Sequence, residues 1–485
     1  MADGREQEHR DGAAPDRPVS GPPRRAARSG PVRVPRWRAA ALVIPRRSAR
    51  GPGVAARPTG GRRIVRALAV GLAALVLLTA GAGAYVYLRL NGNLRQLPLF
   101  GGVYGDAGTE RPDAFGRTPL NVLVIGSDTR ADPADCRLGG DCGPGRNADV
   151  EMLLHLSADR SHATALSIPR DTVTDLPACR RPRGGVAPAR RGPVNSSLQY
   201  GPGCTVAAVH TLTGIPIDHF VLVDFAGVVR MSDAVGGVPV CVDRDVYDPY
   251  SRLKLARGRH ALAGQAALEF LRSRHAFGDG SDLGRADAQH LYLVSLLRRM
   301  RGSGSPADPA GLLSLADAAT RSLTVDPGLA AVSRLAGLAS DVRKVPAERF
   351  SFTTMPSAPD PSDPARLVVA PAARGLFAAL AADRAPRIAA GAGSGGGRRG
   401  PAPRPAATPT TTGAATGAAT GAGTARASDE ALGSTAPAPA APGITAASGT
   451  ACAEVATGRT VTVGGRAMTP TQAFAATPRV PVSAK

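Results

Sequence analysis

Lysine is almost missing from this sequence: Lys254, Lys344 and Lys485 are its only examples against 56 arginines in 485 residues. No Gly-Lys-Ser/Thr follows any glycine-rich stretch, so a Walker-type phosphate loop is excluded. No Gly-x-Ser-x-Gly occurs, which removes the main signal of a serine hydrolase. The six cysteines (Cys136, Cys142, Cys179, Cys204, Cys241 and Cys452) include no Cys-x-x-Cys and have no nearby histidine pair, so their spacing matches no zinc motif. What is abundant is glycine and proline, 58 and 43 residues, at a higher density in the two ends than between them. Such ends cannot bury enough apolar surface to fold. The repeated apolar runs within 119–385 can, so one sizeable folded core is expected rather than a fibrous or wholly disordered chain.

The formal charge of +21 is unevenly spread. Residues 1–66 carry 16 Arg against five acids, a net +11. A basic excess can signal nucleic acid, but this one borders an uncharged run, Ala67–Leu88, of 22 residues, close to the ~20 that cross a bilayer. The run is longer than the ~7–15-residue core of a signal peptide, so a retained anchor is expected. Arg66 and Arg89 bracket it, and the positive-inside rule then holds 1–66 in the cytoplasm and everything after Arg89 outside the plasma membrane. An oxidising exterior permits disulfides. Cys179–Cys204 and Cys136–Cys142 are the preferred pairs, with free buried thiols as the alternative.

After a polar connector, 89–117, strands are expected at 121–125 (NVLVI), 151–157 (EMLLHLS) and 163–168 (ATALSI). The short loop ADRSH between the last two favours antiparallel pairing. A helix over 204–213 stops at Gly214, a strand covers 218–223, and Asp224 caps a helix ending near Gly236-Gly237. Residues 238–242 and 349–354 read as further strands, and 262–274, 283–301, 309–340 and 373–382 as helices. Interleaved strands and helices imply an α/β fold, a mixed central sheet flanked by helices in an α-β-α sandwich, preceded by one transmembrane helix. The folded outer domain spans 118–388. An Ala/Gly/Pro/Thr linker, 389–442, and a tail expected to be disordered, 443–485, follow.

If the first three strands alternate in direction, the end of the first, the start of the second and the end of the third share one sheet edge. Asp128, Arg130, Asp149, Arg170 and Asp171 then crowd together. Two carboxylates there can hold a hard divalent cation such as Mg²⁺, which prefers oxygen ligands, while arginines grip phosphate oxygens in bidentate fashion. Arg272 and Arg274, and then Arg285 and Gln289 one helical turn apart, add to this group if their helices pack on the same edge. Several arginines facing two carboxylates and a metal suit a pyrophosphate.

In order along the chain, Asn121-Val-Leu-Val-Ile-Gly-Ser-Asp-Thr-Arg130, Asp149, Ser167-Ile-Pro-Arg-Asp171 and Asn195-Ser196, then Asp218-His219-Phe220, Val235-Gly-Gly-Val238, Arg272-x-Arg274 and Asp282-Leu-Gly-Arg285, resemble the LytR-CpsA-Psr family, in its actinobacterial form, over about 118–300. The resemblance implies a Mg²⁺-dependent (or Mn²⁺-dependent) phosphotransferase that moves a glycopolymer from a polyprenyl-pyrophosphate carrier in the membrane lipid to a peptidoglycan hydroxyl. It implies Asp128 and Asp149 as metal ligands, and Arg130, Arg170, Arg272, Arg274, Arg285 and Gln289 around the pyrophosphate. Asp128 or Asp171 would take the hydroxyl proton, with Asp128, Arg170 and Asp171 the catalytic group. Val150 stands where the family has Thr, and Ala288 where a second arginine is common. The competing readings are a membrane-anchored transcriptional regulator, a carrier-lipid binder and a pyrophosphatase. No nucleic-acid partner is expected, since the basic tail lacks a helix-turn-helix pattern.

Overall fold

The computed structural model describes residues 61–129, 133–139, 146–182, 184–279, 282–303, 309–386, 445–446 and 452–483. Arg130, Cys142 and all but two residues of the expected linker and the start of the tail fall outside this set. The first element, α1 (Gly61–Asn93), is a continuous helix. Among the described residues it is the one long and apolar enough to cross a bilayer. It runs five residues beyond the expected end at Leu88, because Asn91 and Asn93 continue it into contacts with the domain: Val332 N–H donates to Asn91 Oδ1 at 2.8 Å, and Asn93 Nδ2 donates to Thr320 Oγ1 at 3.2 Å. The chain divides at Leu72 into two units. Of the first, only the opening of α1 is described; the second holds the rest of that helix and every other element.

The elements that position the site are, in chain order, β1 (Arg95–Gln96), β2 (Leu120–Ser127), β3 (Ala148–Leu156), β4 (Ala163–Ile168), α2 (Pro202–Thr213), β5 (His219–Val223), α3 (Phe225–Ala234), α4 (Gly264–Arg272), α5 (Asp282–Ser303), β6 (Leu323–Val325), β7 (Phe350–Thr354), α6 (Pro371–Ala381) and β8 (Thr445–Ala446). One mixed sheet has the order β1-β6-β5-β2-β3-β4-β7-β8. The β2-β3 and β3-β4 pairs are antiparallel, as the short turn between β3 and β4 requires, while β5 lies parallel to β2 and β7 parallel to β4. Side chains alternate across such a sheet. Leu123, Ile125, Leu153, Leu166 and Phe220 meet Val206 and Val209 of α2 and Leu376 and Phe377 of α6 on one face. Val124, Met152, Ala165 and Phe352 meet Val294 of α5 and Val345 on the other. Asp224 caps α3 as expected, its Oδ1 accepting from Gly227 N–H at 2.7 Å.

The structure corrects the sequence reading at three places. The helical pattern over 309–340 is broken: a helix, Pro309–Ser322, gives way to β6, and a second helix runs from Val332 to Lys344. Asp326 precedes Pro327, which disfavours helix at that point, and the exposed edge of β5 takes up Leu323–Val325 through the Leu323–Val223 register. The strand Val238–Val242 does not join the sheet; it forms a hairpin with Gly258–Leu262, so the helix expected over 262–274 begins only at Gly264. Third, residues 452–483 are not a disordered tail. They carry a hairpin (Val461–Val463 with Arg466–Met468) and a capped helix, Pro470–Ala476. Ala453 and Val455 are buried in the cluster formed by the 238–262 hairpin, α4 and α5. A disulfide, Cys241–Cys452, holds this segment, and Cys179–Cys204 forms as expected. Cys136 is disulfide-bonded too, while Cys142, its expected partner, lies outside the described residues.

Candidate active site

At the sheet edge where β2 and β4 end and β3 begins, the ladder between β2 and β3 slips: Gly126 faces Val150 and Ser127 faces Ala148, leaving Asp149 as an extra residue. Such bulges re-aim a side chain next to active sites. Asp149 Oδ1 meets Nη1 of Arg170, which follows β4, and lies 3.5 Å from Nη2 of Arg274. Arg285, near the start of α5 and only 5% exposed, donates from Nη2 to the carbonyl oxygen of Asp149 at 2.8 Å. Burial alone would raise the Asp149 carboxyl; the charges of Arg285, Arg170 and Arg274 outweigh it and hold the group below the ordinary carboxylate range. Three guanidiniums around one carboxylate leave a cationic surplus in a half-enclosed place, the condition for gripping an anion of more than one charge.

A cavity opens beside this group, lined by Asp149, Glu151, Arg170, Arg285, Gln289 and Thr354, among others. Gln289 is anchored by donating from Nε2 to the carbonyl of Leu271 at 3.0 Å. Arg170 is steadied from behind. Its carbonyl accepts from Asn195 N–H at 3.2 Å, and its Nε lies 3.3 Å from Asp171 Oδ2. The other Asp171 oxygen takes Nη1 of Arg366 at 2.7 Å. Asp128 stands at the end of β2 and does not line the cavity. Its Oδ1 accepts from Asn147 N–H at 2.7 Å, two residues from Asp149 on the neighbouring strand.

Asp149, Arg170, Arg274, Arg285 and Gln289, singled out from the sequence, therefore converge, with Asp128 and Asp171 beside them. Arg272 turns elsewhere: its guanidinium sits 4.8 Å from the centre of the Phe225 ring and donates to the carbonyl of Leu138 at 3.2 Å. Arg130 lies outside the described residues. Asp128 and Asp149 are oxygen donors on adjacent strands, so they fit a hard divalent cation that keeps water or phosphate in its other positions.

Three residues here escaped the sequence reading. Glu151 is 1% exposed and neither carboxyl oxygen has a hydrogen-bond partner among the described residues. Burial first, then the charges of Asp171 and Asp149, push its carboxyl well above the ordinary range. A lone acid opening the apolar run EMLLHLS was its signal. Asp248, fully buried, accepts from Ser273 Oγ at 2.7 Å and from Arg274 N–H at 3.3 Å, fixing the segment that delivers Arg274. Arg366 comes from a strand nearly 200 residues away, and nothing in its local sequence marks it.

The combination of this sheet with an arginine-ringed acidic cavity at its edge defines a class of anion-handling α/β domains, and residues 107–372 match the LytR_cpsA_psr family. The chain belongs to that family. It is 32% identical over 323 residues to cell wall biosynthesis protein LcpA of Corynebacterium glutamicum, which covers 61% of this chain and 60% of that one. It is 25% identical over 244 residues to the polyisoprenyl-teichoic acid–peptidoglycan teichoic acid transferase TagT of Bacillus subtilis, covering 48% of this chain and 70% of that one. Among solved structures, the LytR-Csp2A-Psr enzyme from Actinomyces oris is 24% identical with a TM-score of 0.45, covering 59% of this chain and 95% of that one. The chain spans 60% and 54% of the lengths of the two corynebacterial relatives, LcpA and probable cell wall biosynthesis protein LcpB.

Proposed function

We propose that this domain transfers a glycopolymer from a polyprenyl-pyrophosphate carrier to a peptidoglycan hydroxyl, leaving a phosphodiester. The observation that carries the reading is the meeting of Arg170, Arg274 and Arg285 on Asp149 at the mouth of one cavity. Family membership and the transferase name of TagT support it. The arginine-rich flank before α1 would lie in the cytoplasm and the domain outside, next to a donor that cannot leave the bilayer.

The guanidiniums would hold the diphosphate through its oxygens and stabilise charge that builds on the departing lipid phosphate. The acceptor hydroxyl oxygen bonds to the sugar-proximal phosphorus, and the bond from that phosphorus to the oxygen bridging to the lipid phosphate breaks. Polyprenyl monophosphate leaves. Both oxygens of Asp171 face guanidiniums, which suits it to holding Arg170 in place. Asp128, with one oxygen on a backbone N–H, is the better acceptor for the hydroxyl proton. Asp128 and Asp149 would hold Mg²⁺ or Mn²⁺, whose charge would help neutralise the diphosphate.

The test is turnover of a lipid-pyrophosphate-linked oligosaccharide by the full-length protein in detergent, with peptidoglycan fragments as acceptor and products read by mass spectrometry. Arg170→Ala and Arg285→Ala should each lower the rate about 100-fold or more. Unchanged rates in both variants would remove the assignment. Lipid phosphate released without a glycan–peptidoglycan product would make the protein a pyrophosphatase instead.

A further inference from the structure

The opposite edge of the sheet carries a second constellation that the phosphate site does not use. His155, at the far end of β3, is fully buried. Its Nδ1 lies 2.8 Å from Asn121 Oδ1 and its Nε2 lies 3.1 Å from Asp383 Oδ1. The amide orientation of Asn121 is fixed, because its Nδ2 donates to Glu110 Oε1. Asn121 therefore offers His155 an acceptor, and Nδ1 must carry the proton. Its Nε2 then faces Asp383 Oδ1, and either a proton or a metal ion can sit between the two atoms.

His162, just before β4, completes the group. Its Nε2 is buried with no hydrogen-bond partner among the described residues, while its Nδ1 lies 3.2 Å from Ser161 Oγ. Asp383 follows α6 in a left-handed backbone conformation, φ 53°, unusual for a non-glycine residue. Its Oδ2 is held by Ala158 N–H at 3.1 Å, which leaves Oδ1 turned toward the histidines. The ligand atoms of His155, His162 and Asp383 all lie within 4.8 Å of one another.

We propose that His155 Nε2, His162 Nε2 and Asp383 Oδ1 form a site for a divalent transition-metal ion, zinc above all, with a water in the fourth position. Two imidazoles and one carboxylate suit zinc. The 3.1 Å between His155 Nε2 and Asp383 Oδ1 is already close to the roughly 3.3 Å that separates two ligands on one tetrahedral ion with bonds near 2.0 Å. Asn121 and Ser161 hold the far nitrogens of the two rings, the outer contacts that orient metal-bound histidines. The ion would tie the chain beyond α6 to β3 and to the turn before β4, at the edge of the sheet remote from Asp149.

The full-length protein, purified without a histidine tag, stripped with chelator and kept in detergent, should bind one Zn²⁺ per chain by calorimetry. With Co²⁺ it should develop the intense visible absorption of a four-coordinate ion. His162→Ala, at a half-buried position, should weaken Zn²⁺ binding by more than the roughly 10–100-fold that loss of an outer contact costs, and Asp383→Asn should do the same. Circular dichroism would verify that the variants fold. No Zn²⁺ uptake by the stripped wild type, or uptake unchanged in both folded variants, would overturn the site and leave His155 and Asp383 as a buried ion pair.

Discussion

At the scale of single residues, His290 shows how the cavity is kept in one charge state. It stands next to Gln289 on α5, is 1% exposed, and has its Nε2 2.8 Å from Ser167 Oγ. Burial pushes its pKa down from 6.5 to about 4, so it is neutral in the folded protein and charges only on unfolding. A depressed imidazole stabilises fully above the unfolded value, and that contribution is lost as pH falls through the window from 6.5 to about 4. Its size is on the order of 3 kcal/mol. Urea unfolding across that window should show a fall in wild-type stability that His290→Gln largely removes; equal slopes in the two proteins would contradict the neutral assignment. Arginine identity matters on the same scale. Arg285→Lys keeps the charge but loses the fork that reaches the Asp149 carbonyl, so binding of a lipid pyrophosphate should weaken about 10-fold, measurable by titration with a short-chain donor.

Among whole elements, α4 shows what the sequence reveals and what it hides. Arg272-Ser273-Arg274 reads as one basic pair, yet the helix ends at Arg272 and Ser273 is extended, at φ −66° and ψ 122°. Arg272 thus keeps its helical direction toward Phe225, while Arg274 is carried round to Asp149. Convergence of Asp149 and Arg170 was legible because strand direction across short turns fixes which ends share an edge, whereas Arg285 joined them in the sequence only on the condition that its helix packed there. The 238–242 hairpin was not, since a five-residue apolar run does not say which strand will pair with it. The close approach of Phe277-Gly278 to the first turn of α5, where Gly284 sits, belongs to this scale as well. Gly278 has φ +58°, and a Cβ on Gly284 would stand 2.4 Å from the carbonyl oxygen of Phe277. Gly284→Ala should therefore cost about 1–3 kcal/mol and displace Arg285. Reduced donor affinity together with a lower unfolding midpoint is the expected pair of observations; a variant of wild-type stability and affinity would show that this contact yields freely.

For the molecule as a whole, α1 and the domain are joined by short polar contacts, with Arg89 3.7 Å from Asp317 and Asn93 beside it. A form lacking residues 1–88 keeps the Asn91 and Asn93 anchors. It should turn over a short-chain, water-soluble donor at the wild-type rate but lose about 100-fold on a donor embedded in vesicles, since tethering acts as effective concentration. Equal loss on both donors would show that the helix supports the fold rather than the encounter.

The segment after Cys452 runs beside the residues that lead into α5. Gly278 N–H donates to the Glu454 carbonyl at 2.9 Å, Ala456 N–H to that of Ala276 at 2.8 Å, and Cys241–Cys452 closes the arrangement. Arg274 and Arg285 flank that short stretch on either side, so the backbone between them is paired with amino acids synthesised more than 160 positions later. A chain that has not yet reached Cys452 lacks these contacts between Arg274 and Arg285, and the finished brace needs both that late strip and an oxidant for its disulfide.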